Sequence, residues 1–105
     1  MTADPAASLD GVARARLETV LALLAEEKAS VSSVVDERAW HVHVADSLTG
    51  LEVPDLRNAG RIADVGAGAG FPGLVLAVSL PAAHVDLVES VGRKCEFMRR
   101  AIAAA

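Results

Sequence analysis

The sequence predicts an α/β fold in which two N-terminal helices precede a strand–helix–strand–helix unit of a parallel, doubly wound sheet. Two observations support this prediction. Between residues 9 and 51, apolar side chains recur at the spacing of amphipathic helices. After residue 57, two short apolar runs are each followed by a turn and a helical pattern. Strands that alternate with helices through short connections are typical of parallel sheets.

The N-terminal half is predicted to form two helices. The first covers residues 9–27 and exposes Glu18, Glu26 and Glu27; its apolar stripe is Val12, Leu17, Val20, Leu21 and Leu24. Alternating Val and Ser at 30–35 end this helix. Asp36 is suited to cap a second helix, which runs to about residue 51 and ends before Pro54. The stripe of the second helix is Trp40, Val44, Leu48 and Leu51. Residues 55–60 are then a polar connection.

The C-terminal half is predicted to form the sheet unit. Residues 62–65 and 84–89 are the strands. Between them Pro72 suits the first turn of a helix over 74–80, which Pro81 stops. Ser90 is expected to cap a last helix that runs from residue 91 to the end of the chain. The buried stripe of that helix is predicted to be Val91, Cys95, Met98 and Ile102.

Composition narrows the class of protein. The 105 residues are 52% hydrophobic and 23% charged, which indicates one folded domain or part of one. Cys95 is the only cysteine, so no disulfide or cysteine-based zinc site forms within the chain, as expected in a reducing cytoplasm. The start lacks a signal peptide and the longest apolar run, 71–80, is too short to span a membrane. We therefore predict a cytoplasmic protein without a membrane partner.

A glycine-rich loop after the first strand is the most informative motif. Residues 68–73 fit the dinucleotide pattern G-x-G-x-x-G. In that pattern, however, the first glycine directly follows the strand, and here that glycine is Gly66. Counted from Gly66, the motif is Asp64-x-Gly66-x-Gly68-x-Gly70, which resembles motif I of class I S-adenosylmethionine-dependent methyltransferases. A nicotinamide or flavin site, or a turn that binds no ligand, remains as an alternative. Asp64 is expected to accept hydrogen bonds from N–H groups of the loop.

Other residues complete the predicted site. Glu89 ends the second strand, where an acid can accept hydrogen bonds from both hydroxyls of a ribose; otherwise it is a solvated surface residue. An acid at this position does not distinguish a site for S-adenosylmethionine from a site for NAD, because both ligands contain an adenosine ribose. Phe71 either anchors the core or borders the cofactor. The predicted cofactor-binding set is therefore Gly66, Gly68, Phe71 and Glu89, and no residue is assigned as catalytic.

Histidines and basic residues give weaker signals. His41 and His43 do not face each other on a helix, so we predict no metal site. His43 is either a hydrogen-bonded structural residue or the border of a substrate pocket. The net charge of −4 divides into −6 over residues 1–56 and +2 over residues 57–105, so any RNA contact must be local. Four basic residues on the last helix form either a solvated face or a phosphate contact: Arg93, Lys94, Arg99 and Arg100.

Three segments together resemble one family. They are W-H-V-H-V-A-D-S-L at 40–48, D-V-G-A-G-A-G-F-P-G at 64–73, and E-S-V-G-R-K at 89–94 followed by Phe97. In order and spacing the chain is similar, over about residues 10–105, to the N-terminal part of the RsmG family, once called GidB. That family methylates guanine N7 in 16S ribosomal RNA. The resemblance implies cofactor contacts at Gly66 and Phe71, and it implies that His43, Asp46 and Ser47 approach the active site.

The resemblance also implies an organisation. From the residue pattern we expect a disordered N-terminus at 1–8 and a helical segment at 9–56; by the resemblance, 57–105 are expected to be the first half of a Rossmann-like S-adenosylmethionine-binding domain, truncated after two strands. The implied partner is 16S rRNA or the small ribosomal subunit. The 105 residues alone are expected to be inactive, and an oligomer could form through the sheet edge at Val65, Val85 and Leu87. The alternatives are an NAD(P)-dependent oxidoreductase and a non-catalytic truncated fragment.

Overall fold

The structure, a computed structural model, describes residues 9–27 and 38–105. Its helices are α1 (Gly11–Glu27), a π-helix (Trp40–Ala45), α2 (Asp46–Leu48), a 3-10 helix (Thr49–Glu52), α3 (Pro54–Arg57), α4 (Gly73–Ser79) and α5 (Gly92–Ala104). The strands are β1 (Arg61–Val65) and β2 (His84–Val88). The predictions for 1–8, 30–35 and Asp36 lie outside the described residues. Within residues 9–27 and 38–105, no helix is both long and apolar enough to cross a membrane.

The two strands form a parallel sheet, as the sequence predicts. Arg61 pairs with His84 and Val65 with Val88, and α4 connects the end of one strand to the start of the other. Ile62 is buried on the inner face, whereas on the outer face Val65 is 79% and Val88 48% exposed. The α/β class is thus confirmed for the part of the chain described, and the remainder of a Rossmann-like sheet stays a prediction.

Helix α1 packs across the sheet unit and joins both halves of the chain. Leu17, Val20 and Leu24 are fully buried. Leu17 lies with Val44, Leu48 and Val75 in one cluster; the other contains Val20, Leu24, Ala67, Ala69, Leu74, Phe97, Met98 and Ala101. The predicted stripe was wrong at Val12, which is 64% exposed. Ala13 takes its place, because it lies four residues before Leu17 and therefore on the same face of the helix.

The second helical segment has the predicted stripe but not the predicted geometry. Val44 and Leu48 are buried, and Trp40 and Leu51 pack against them. The guanidinium of Arg14 lies 4.4 Å from the centre of the Trp40 ring, which links α1 to this segment through a cation–π contact. A continuous α-helix was predicted, but the segment begins with a π-helix and ends with a 3-10 turn. Residues 54–57 form the short helix α3 and not an irregular connection, because proline is favoured in a first helical turn.

Two details of α5 also differ from the prediction. Ser90 does not cap this helix; Val91 occupies the N-cap position without a side-chain hydrogen bond, and the helix begins at Gly92. The buried positions are Phe97, Met98 and Ala101, whereas Ile102 is 59% exposed. Phe97 and Ala101 face α1 and the glycine-rich loop, so the packing of these elements selects the buried face.

Candidate functional site

The glycine-rich loop turns back at the carboxyl end of the sheet. Backbone N–H groups of Gly66 and Ala67 both donate to the Val88 carbonyl, at 2.8 and 3.0 Å, so the loop is fixed to the end of β2. Ala67 and Ala69 are buried in the core, and the glycines alternate with them. The small apolar residues therefore hold the inner side of the loop, and glycine backbone forms much of its outer side.

Gly66 and Gly68 lie beside open space. Their φ angles are +75° and +61°, a region that glycine enters readily and other residues enter at a cost. A Cβ atom built on either residue would meet no heavy atom within 4 Å beyond its chain neighbours. Crowding by the protein therefore does not account for glycine here. The bare backbone leaves room for a ligand to approach the loop closely.

Glu89 lies directly against the loop. Its Oε1 accepts a hydrogen bond from the N–H of Gly68 at 2.7 Å, and its Oε2 accepts one from Val91 at 3.0 Å. The structure therefore brings Glu89 and Gly68 into direct contact, and the Cys95 thiol donates to the Glu89 backbone carbonyl at 3.1 Å. The two oxygens of a carboxylate can accept about four hydrogen bonds in total, so Glu89 retains acceptor capacity for a ligand hydroxyl.

The same contacts make Glu89 sensitive to acid. The N–H groups of Val91 and Gly68 stabilise the ionised form and hold the pKa of Glu89 below its ordinary value of 4.5. Because the folded-state pKa is lowered, the carboxylate stabilises the fold fully above the unfolded-state pKa. This contribution is lost as the pH falls through the folded-state pKa.

We expect Glu89→Gln to lower the melting temperature at pH 7, because the charge-assisted bonds to Gly68 and Val91 are weakened. The difference from wild type should shrink as the pH falls below about 4.5 and the wild-type carboxyl becomes protonated. Thermal unfolding followed by circular dichroism from pH 7 to pH 3 measures this difference. A difference that stays constant with pH would show that the Glu89 charge does not support the loop.

Asp64, near the end of β1, is hydrogen-bonded to the far end of the glycine-rich loop. Its Oδ2 accepts a hydrogen bond of 2.9 Å from the N–H of Gly73, the first residue of α4. This confirms the prediction that Asp64 accepts a backbone N–H from the glycine segment. The bond spans the loop from its beginning to its end and fixes the direction in which α4 leaves it.

Phe71 lies apart from Gly68 and Glu89, on the side of the loop that faces the π-helix. Its ring stacks on the His43 imidazole with 4.5 Å between ring centres and 12° between ring planes. Phe71 is partly buried and packs against both hydrophobic clusters. It is therefore a core anchor, as one sequence interpretation held, and it is also the residue that joins the loop to the motif segment 40–48.

A cleft of about 360 Å³ opens beside this aromatic pair. Its lining comprises Val42, His43, Asp46, Ser47, Thr49, Gly50, Leu56, Phe71, Pro72 and Leu76. The sequence interpretation did not assign Thr49, Gly50 or Leu56 to a site. The positions 43, 46, 47 and 50 share the spacing of one helix face and could have indicated it. The π-helix contributes two of the lining residues, and π-helical turns are frequent at functional sites.

The basic residues of α5 have a partly structural role. Arg100 forms an ion pair with Glu27 and so ties α5 to α1. Arg93 and Arg99 are exposed. His41 and His43 belong to no group of three potential metal ligands within residues 9–27 and 38–105.

Comparison with known proteins decides the family. The GidB family model, described as rRNA small subunit methyltransferase G, matches residues 17–105. The chain belongs to this family. A curated Ribosomal RNA small subunit methyltransferase G from Bradyrhizobium diazoefficiens is 43% identical over 95 residues, covering 84% of this chain and 35% of the relative. The protein of the same name from Sorangium cellulosum is 40% identical over 95 residues, covering 87% of this chain and 40% of the relative.

A third relative matches more closely over a shorter segment. The Rubrobacter xylanophilus protein of the same name is 53% identical over 60 residues, which is 57% of this chain and 23% of the relative. The chain thus spans only about a quarter to two fifths of the length of these curated relatives. The matched region contains the glycine-rich loop and Glu89, since the family match extends over residues 17–105.

Proposed function

We propose that this chain forms part of an S-adenosylmethionine-dependent methyltransferase that modifies guanine N7 in 16S rRNA. The observation that best supports the proposal is that the Glu89 carboxylate is held against the N–H of Gly68, in a loop where Cβ atoms at Gly66 and Gly68 would meet nothing within 4 Å. Membership of the rRNA small subunit methyltransferase G family favours this function over an NAD(P)-dependent oxidoreductase.

The residues present suit S-adenosylmethionine. Side chains at Gly66 or Gly68 would project into the space that a bound ligand needs. The Glu89 carboxylate, already oriented by Gly68 and Val91, retains acceptor capacity for a ribose hydroxyl. When bound, the cofactor supplies a methyl group on a positively charged sulfur. The contribution of the chain is to bind and to align, which can account for a large share of a rate enhancement.

Residues 1–105 alone are expected to be catalytically inactive. The sheet has two strands, and the outer face of the described sheet exposes Val65 and Val88. Parallel sheets are ordinarily covered on both faces. The sheet edges, where strand backbone groups have no neighbouring strand, could also pair with another copy of the chain.

The choice of cofactor tests the proposal. Isothermal titration of the full-length protein that contains this chain should show saturable binding of S-adenosylhomocysteine, whereas NAD and NADP should give none. The reason is that Phe71 occupies the position of the third glycine of the dinucleotide pattern, counted from Gly66, and that glycine is needed for close packing of the helix on the strand. Binding of NAD with no response to S-adenosylhomocysteine would overturn the methyltransferase proposal.

A further inference from the structure

The cleft beside the His43–Phe71 pair is lined by an exposed carboxylate, that of Asp46. The Ser47 hydroxyl donates to the His43 carbonyl, and the Thr49 hydroxyl donates to the Asp46 carbonyl. By contrast, no donor within residues 9–27 and 38–105 is recorded for the Asp46 carboxylate, which is exposed and lines the cleft. A ligand that enters this cleft therefore meets one free anionic acceptor.

The rest of the lining suits a flat ring. The parallel rings of His43 and Phe71 provide aromatic surface on which a base can stack. Val42, Leu56 and Leu76 supply apolar walls. The volume of about 360 Å³ falls within the range of roughly 300–1,000 Å³ that is usual for small-molecule sites. Phe71 also borders the end of the glycine-rich loop, so this cleft and the proposed cofactor space adjoin the same segment.

The chemistry of guanine selects how it can be held. Methylation at N7 uses the lone pair of that nitrogen, so a donor bound to N7 would block the reaction. The Watson–Crick edge, where guanine presents the donors N1–H and N2–H₂, can be bound without blocking N7. Enzymes that act on an unstacked base commonly read it at this edge. Two parallel donors are matched by the two oxygens of one carboxylate.

We infer that Asp46 binds the Watson–Crick edge of the acceptor guanine and so determines its specificity, while His43 and Phe71 hold the plane of the base. This inference rests on the proposed function. In this arrangement N7 points away from Asp46. Adenine is rejected, because its N1 is an acceptor and would face the carboxylate.

Titration with free nucleotides tests the inference. The probes are GMP, IMP and AMP, added to the ¹⁵N-labelled chain with S-adenosylhomocysteine present. GMP should shift the amide signals of residues 42–50 and Phe71. IMP lacks the N2 amine, so it should bind about tenfold more weakly, and AMP should bind more weakly still.

Asp46→Asn should weaken GMP binding by about tenfold or more and abolish the preference over IMP, because the amide replaces one of the two acceptor oxygens with an NH₂ donor that would face a donor of guanine. Asp55→Asn is the matched control, since Asp55 is an exposed acid outside the cleft, and it should behave as wild type. Equal binding of GMP and AMP by wild type, or an unchanged GMP affinity in Asp46→Asn, would overturn the inference. The comparison of IMP with GMP uses only the wild-type chain and does not depend on how the variant folds.

These titrations distinguish a failure of the proposed function from a failure of the guanine-site inference. A chain that ignores S-adenosylhomocysteine but prefers GMP through Asp46 would refute the cofactor proposal and retain the guanine site. A chain that binds S-adenosylhomocysteine but binds the three nucleotides equally would retain the cofactor proposal and refute the guanine site.

Discussion

Gly70→Ala is expected to destabilise the fold by roughly 3 kcal/mol or more, from backbone strain and overpacking together. The φ angle of Gly70 is +105°, which side-chain-bearing residues rarely adopt. A Cβ atom there would also lie 2.4 Å from Cδ1 and 2.7 Å from Cγ of Leu74, a buried residue of the core. Domains of this size are stable by only about 5–15 kcal/mol, so the variant should lose a large part of its stability.

Urea denaturation at pH 7 measures this loss. Gly60→Ala is the matched control, because the φ angle of Gly60 is not positive and a Cβ atom there would meet nothing within 4 Å. It should unfold within about 0.5 kcal/mol of wild type. Equal stability of Gly70→Ala and Gly60→Ala would show that the loop does not pack on Leu74 as described.

Phe97→Ala is expected to cost about 3–5 kcal/mol, because it removes a large side chain from the centre of the main cluster and leaves a cavity. Phe97 is fully buried, and α1, the glycine-rich loop and α5 all contribute residues to its cluster. The variant should therefore lose a large part of its stability at 25 °C. Loss of α1 packing should accompany the loss of stability.

Ile102→Ala provides the comparison for Phe97→Ala. Ile102 is 59% exposed, so its replacement should change the free energy of unfolding by less than about 1 kcal/mol. Chemical denaturation of both variants separates the observed buried face of α5 from the face predicted by sequence. A larger loss of unfolding free energy in Ile102→Ala than in Phe97→Ala would support the sequence prediction that Ile102 lies on the buried face of α5.

The parts of the fold that sequence predicted well have local causes. The strand, the glycine-rich loop and the start of α4 follow one another within 64–73, and the bond from Gly73 to Asp64 is formed inside that segment. Glu89 could be placed at the loop because parallel strands end at the same edge of the sheet, and its contact with Gly68 follows from that topology. These inferences needed spacing and topology only.

The parts that sequence missed depend on packing between distant segments. The buried face of α5 could not be chosen, since Ala101 and Ile102 are both apolar and periodicity admits either. The stack of His43 on Phe71 joins residues 28 positions apart, and nothing in either local pattern specifies it. The cap of α5 was assigned to Ser90 by residue type, but Glu89 already binds the Val91 N–H from the end of β2.

The central claim is that the glycine-rich loop and Glu89 form the cofactor site, and a chemical-shift map with S-adenosylhomocysteine tests it most directly. Amide signals of residues 66–71 and 89–91 should shift together and follow one binding curve with a single dissociation constant. The reason is that Gly68 and Val91 both bond to the Glu89 carboxylate. Shifts confined to the separate hollow lined by residues 57–60 and 79–83, with the loop signals unchanged, would contradict the claim.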